Sequence, residues 1–133
     1  MQFDAAIVGG GPAGLSAALV LGRCLRSVLV VDSGNPRNAA SKGLHNFLTR
    51  DGIDPKQLLG LGRAEVARYG VQVRSGVVSR ATCTPSGFVL RLRGAGTVRA
   101  RTLLLVADSA SAQAPVRTAA ADALRLPAPA VPD

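Results

Sequence analysis

The chain has no tryptophan, one tyrosine, three phenylalanines, a single histidine and two cysteines. Each scarcity removes a class of function. Cys24 and Cys83 lie far apart with no C-x-x-C spacing, so neither a redox dithiol nor a zinc site is expected, and both read as structural or incidental. With His45 as the only histidine, no metal-binding cluster is expected either. No apolar run reaches the roughly 18 residues of a membrane span. Met1-Gln2-Phe3-Asp4 places no basic region ahead of an apolar stretch, which argues against a signal peptide and for a cytoplasmic protein. The net charge is +8, yet no run of five basic residues occurs and no aromatic platform accompanies the arginines, so no nucleic-acid partner is expected.

What is present is glycine, alanine and short apolar runs, in 133 residues, a length suited to one domain with its own core. Arg91, Arg93, Arg99 and Arg101 alternate with Leu90, Leu92, Val98 and Ala100. That period of two predicts strands with one wet face.

The most informative stretch is "IVGGGPAGLSAAL", Ile7 to Leu19. Asp4–Val8 reads as a strand. Pro12 suits the first turn of a helix, where its missing N–H is no loss. Ala13–Arg23 reads as a helix with so few polar residues that burial is expected. Gly9, Gly11 and Gly14 fill the positions of a G-x-G-x-x-G fingerprint: the first permits the tight turn, the second lets a pyrophosphate approach the backbone, the third lets helix and strand pack closely. The helix N-terminus offers free N–H groups and about half a positive charge to an anion. Ser27–Val31, "SVLVV", gives a second strand ending at Asp32, near the distance at which an acid accepts hydrogen bonds from a ribose. A strand, a glycine turn, a helix and a second strand with a terminal acid together point to an adenine dinucleotide. Spacing alone does not choose between NAD and FAD.

"DAAIVGGGPAGLSAALVLGRCLRSVLVVDSG" resembles the N-terminal FAD-binding segment of thioredoxin reductases. "NPRNAASKGLHNFLTRDG" is similar to the subgroup that includes the dithiol oxidases, and the likeness runs on through "GLGRAEVARYGVQV" before weakening toward Leu105. The resemblance implies a class II pyridine nucleotide-disulfide oxidoreductase. Its first glycine motif serves FAD, and a separate domain, with no counterpart in these residues, serves NADPH. FAD is therefore the expected cofactor, and NADP is not expected to bind. Carried over by residue, Gly9, Gly11, Pro12, Ala13 and Gly14 hold the pyrophosphate and Asp32 the adenosine ribose. The Gly34–Asn46 loop passes near the flavin. Asn46 falls where the family places an asparagine beside the isoalloxazine, and a surface turn is the equal alternative. His45 is expected in an exposed loop, and Arg37 and Arg50 as solvated cations. No residue is assigned a catalytic role.

The remaining sequence suits the same domain: an α/β, Rossmann-like FAD/NAD(P)-binding fold with a parallel sheet and a β-meander crossover, apparently incomplete. Pro55–Tyr69 predicts an amphipathic helix weakened by Gly60 and Gly62 and capped by Gly70. Val71-Gln72-Val73 begins the next strand. Val77–Thr82, Phe88–Arg93 and Thr97–Arg101 predict three meander strands, and Thr102–Ala107 a return to the parallel sheet. Where relatives carry an alanine-threonine-glycine turn, this chain has Val106-Ala107-Asp108. A Cβ and a carboxylate there oppose an anionic diphosphate, so FAD retention is expected to be poor. The domain is thus drawn as 1–107, with 108–133 an Ala/Pro-rich tail of weak order.

Two functions remain open on these residues. One is the N-terminal FAD-binding part of a thioredoxin reductase-like oxidoreductase, passing electrons between NAD(P)H and a disulfide, dithiol or oxygen. The other is a nucleotide-binding remnant or disrupted-frame product without turnover. A homodimer or a completing polypeptide is compatible with either.

Overall fold

The computed structural model describes residues 1–34 and 41–106. The elements run β1 (Gln2–Val8), α1 (Pro12–Arg23), β2 (Val28–Asp32), α2 (Pro55–Ala67), β3 (Gln72–Ser75), β4 (Val78–Thr84), β5 (Gly87–Leu92) and β6 (Thr97–Leu105). The strands form one sheet in the order β3-β2-β1-β6-β5-β4. β1 is central and pairs in parallel with β2 (Ile7 opposite Val30) and with β6 (Ile7 opposite Leu104), and β2 pairs in parallel with β3.

The β2 sequence VLVVD is buried at every position because both of its faces are covered. Val28 and Val30 join Ile7, Leu15, Ala18, Leu59, Val66 and Val71 beneath the two helices. Leu29 and Val31 face the other way and meet Val78, Ala81, Leu90 and Leu92 of the meander. Strands of one hydrogen-bonded sheet thus cover part of that same sheet, which therefore folds over at β6. The three layers are helices, parallel strands and meander strands.

β6 corrects one expectation. Thr97–Arg101 and Thr102–Ala107 were expected as two strands; Thr97–Leu105 forms one, and Ala107 lies outside the described residues. Its first part pairs antiparallel with β5, from Thr97 opposite Arg91 to Ala100 opposite Phe88. Residues from Arg99 on pair in parallel with β1. The hydropathy pattern changes midway, from alternation to an apolar run, because the cover changes, and the backbone continues straight through. The alternation itself is as expected: Leu90, Leu92, Val98 and Ala100 are buried, while Arg91, Arg93, Arg99 and Arg101 are exposed.

The helices differ from expectation in extent. α1 begins at Pro12 and buries one face, Gly14, Leu15, Ala18 and Gly22, while Val20 on the opposite side is 62% exposed. Its alanine-rich composition hid that asymmetry. α2 stops at Ala67. Asp54 caps its start by accepting from the N–H groups of Lys56 (2.9 Å) and Gln57 (3.0 Å). Gly70, at φ +73°, turns the chain into β3 with its N–H on the Ala67 carbonyl. Near the base of the sheet, Ser27 donates its N–H (2.8 Å) and Oγ–H (2.9 Å) to Asp4 Oδ2, joining the starts of β1 and β2. Arg37, Asp108 and the 108–133 tail lie outside the described residues, as do residues 35–40 of the loop that precedes Asn46.

Candidate functional site

The carboxyl ends of β1 and β2 meet the N-terminus of α1, the place where parallel α/β sheets bind nucleotides. The chain leaves β1 at Val8, and Gly9 takes φ +119°, a conformation that side chains other than hydrogen rarely allow. The Gly9 N–H donates to Val31 O at 2.9 Å, which holds the turn beside β2.

The three glycines that follow differ in what surrounds them. A Cβ on Gly14 would collide with the Gly9 carbonyl oxygen and stand 3.0 Å from the Gly9 carbonyl carbon. Gly14 is therefore the close-packing glycine, as its spacing suggested. A Cβ on Gly11 would meet nothing within 4 Å. That side of the turn is open, and Gly11 is an N-cap with no side-chain hydrogen bond. Among the described residues, the N–H groups of Gly11, Ala13 and Gly14 have no acceptor. With Pro12 exposing no N–H of its own, the turn presents open space and unpaired donors on the positive end of α1. Open space and unpaired donors at a helix N-terminus are the features that suit an anion.

Gly10 was not singled out from the sequence, and the structure gives it a specific task. A Cβ there would lie 2.6 Å from both Cβ and Cγ of Asp32 and 2.8 Å from its Oδ2. The absent side chain is what lets the Asp32 carboxylate lie against the glycine turn. Asp32 is 8% exposed and is the only buried charged residue among those described. Its Oδ1 accepts the Gly34 N–H at 3.0 Å, and its Oδ2 accepts from Arg63 Nη2 of α2. Arg63 was likewise missed: nothing in its spacing ties it to Asp32, and only the packing of α2 on α1 brings the two together.

The structure thus gathers Gly9, Gly11, Pro12, Ala13, Gly14 and Asp32 around one turn. Asn46 lies elsewhere, in an exposed loop at φ +62°, its N–H donating to Asp51 Oδ1 at 2.8 Å. His45 is exposed beside the same carboxylate, 3.5 Å from Asp51 Oδ1. A cavity of about 340 Å³ opens next to the turn, between α1, α2 and this loop, lined among others by Pro12, Leu19, Phe47, Arg50 and Leu58. Asn46 is not part of its wall, whereas Arg50 is. Cys24 caps the end of α1 and Cys83 sits on β4, and both thiols are free. Among the described residues no group of histidine, cysteine and acids is arranged to hold a metal.

Comparison with known proteins agrees with this geometry. Residues 4–59 match the family described as FAD binding domain. A protein of Arthroderma benhamiae named "probable thioredoxin reductase" is 46% identical over 68 residues, which are 51% of this chain and 17% of that protein. The solved oxidoreductase from Agrobacterium tumefaciens superimposes with a TM-score of 0.74 at 37% identity, over 79% of this chain and 36% of its own. A thioredoxin reductase from Gloeobacter violaceus superimposes at 0.72 with 25% identity, over 78% and 36%.

The segment, its fold and its relatives support a thioredoxin reductase-like FAD-binding oxidoreductase domain of Rossmann-like architecture. They indicate FAD as the nucleotide. The chain spans between 16% and 25% of the length of the curated relatives it matches, so these likenesses support part of a flavin oxidoreductase. No helix among the described residues is long and apolar enough to cross a membrane.

Proposed function

We propose that this chain binds the adenosine diphosphate half of FAD at the Gly9–Gly14 turn and serves as the FAD-binding part of a thioredoxin reductase-like oxidoreductase. The observation that carries the reading is the pairing of an open, donor-lined turn at Gly11 with a buried acid, Asp32, laid against Gly10. The residues fit the group. The N–H groups of Gly11, Ala13 and Gly14 bind diphosphate oxygens, and the α1 N-terminus adds its partial positive charge. The Asp32 carboxylate accepts from the ribose diol. Gly9 and Gly14 hold the turn in the shape that allows both.

When bound, FAD supplies two-electron redox chemistry, in the whole oxidoreductase between NAD(P)H and a disulfide, dithiol or oxygen. Asn46 approaches the flavin edge in this reading, with its backbone already fixed by Asp51. The 133 residues contain one glycine fingerprint and no close cysteine pair, so FAD binding rather than turnover is the function assigned to them alone. The two free cysteines accord with a reducing compartment, the cytoplasm.

The test is titration of the purified chain with FAD, followed by flavin fluorescence quenching and by calorimetry. Saturable one-to-one binding that ADP-ribose competes away supports the reading. Binding by free FMN but not by ADP-ribose would refute it, because FMN lacks the adenosine half.

A further inference from the structure

α2 packs on α1 through Gly62. A Cβ on Gly62 would stand 3.0 Å from Leu15 Cδ1, so the two helices pack tightly at this position. Leu59 and Val66, three residues before and four after Gly62, bury the same face against the sheet. The next residue, Arg63, is thereby carried across the end of β2, where its Nη2 meets Asp32 Oδ2.

The pair is asymmetric. The Asp32 side chain is 12% exposed and the Arg63 side chain 46%. The acid is fixed inside the fold, and the guanidinium reaches it from the solvent side with other N–H groups to spare. A carboxylate has four lone-pair directions. Among the described residues, Gly34 and Arg63 take one on each oxygen, which leaves two for a ligand. A buried acid without its cation carries an uncompensated charge and turns toward water, whereas a planar guanidinium fixes its orientation.

We propose that Arg63 is a positioning residue for adenosine-ribose recognition: it pins the Asp32 carboxylate against the Gly10 backbone so that the acid presents fixed acceptors to the ribose diol. The inference rests on the proposed dinucleotide site and adds to it a residue outside the glycine fingerprint and the terminal acid. The ligand class is an adenine nucleotide diphosphate with a free 2′-hydroxyl. Arg63 acts on the adenosine end only, since it neither belongs to the turn nor lines the neighbouring cavity.

The experiment is a cycle with two ligands and three proteins. ADP-ribose and its 2′-deoxy analogue are titrated by calorimetry against the full chain, Arg63→Gln and Arg63→Lys, with circular dichroism confirming the fold of each. The full chain is expected to prefer ADP-ribose over the deoxy analogue by about tenfold, the worth of one hydrogen bond to a charged group. Arg63→Gln is expected to bind ADP-ribose about tenfold more weakly and to lose the preference. Arg63→Lys, which keeps the charge but not the fork, is expected to fall between. A purely structural role would weaken both ligands equally and leave the preference intact. That result, or tighter binding by Arg63→Gln, would overturn the proposal while leaving the site in place. If Arg63→Gln fails to fold, an undiminished 2′-hydroxyl preference in Arg63→Lys overturns it. Failure of the full chain to bind either ligand would overturn the site itself, and the proposal with it.

Discussion

Consider alanine placed in turn at Gly11 and Gly14, two glycines of one fingerprint three residues apart. The structure predicts different outcomes. At Gly14 the new methyl meets the carbonyl group of Gly9, and backbone cannot rotate away as a side chain would. Overpacking of this kind costs roughly 1–3 kcal/mol, and the upper end applies because both struck atoms are backbone. Replacing a helical glycine by alanine returns about 1 kcal/mol of propensity. The net loss is about 2 kcal/mol, and at 4–8 °C per kcal/mol for a domain of this size Tm should fall by roughly 8–16 °C.

At Gly11 the methyl meets nothing within 4 Å, and the backbone sits at φ −77°, ψ −175°, which alanine adopts freely. The unfolded chain loses freedom, worth about 0.4–1 kcal/mol, while alanine is a poorer N-cap than glycine by a similar amount, so the variant should melt within a few degrees of the unsubstituted chain without ligand. The same methyl occupies the space a diphosphate needs. With FAD at a hundred times its Kd, the unsubstituted chain gains about 2.7 kcal/mol of stability, and Gly11→Ala should gain almost none. Thermal melts with and without FAD, read by circular dichroism, supply all four numbers. Gly14→Ala melting with the unsubstituted chain, or Gly11→Ala melting as low as Gly14→Ala in the absence of ligand, would refute the packing argument. An undiminished FAD shift in Gly11→Ala would refute the site.

Further outcomes follow from single contacts. Asp54→Ala removes the acceptor of two N–H groups at the start of α2 and should cost about 1 kcal/mol in urea denaturation. The carboxyl of Asp4 is held below its ordinary value of 3.8, first by the Ser27 N–H, then by the Ser27 hydroxyl, with smaller help from Arg101 and Arg26. Because the folded value is the lower one, this stabilisation is fully present above pH 3.8 and is lost as pH falls through the folded value. Asp4→Asn should therefore flatten the acid limb of stability below about pH 4, seen as a smaller change in urea midpoint there. The 133-residue chain with added FAD should show no NADPH-dependent disulfide reduction, since hydride transfer requires a nicotinamide held against the flavin. Absorbance at 340 nm that declines with NADPH and a disulfide substrate would contradict this.

Local sequence determined the parts whose cause is local. A positive-φ glycine followed by a proline at a helix start can be read without knowing what lies nearby, and so can a β-branched run ending in an acid. The wet and dry faces of β5 and β6 follow from strict alternation. Tertiary structure decided whatever depends on which surfaces meet. β6 is one strand because its pairing partners change while its backbone does not, and hydropathy records only the cover. Val20 is exposed because α1 has neighbours on one side only. Gly10 is required because Asp32 lies above it. The Asp32–Arg63 pair joins residues 31 positions apart through the approach of two helices. Such a contact leaves no period or motif in the chain, because what fixes it is the distance between packed elements.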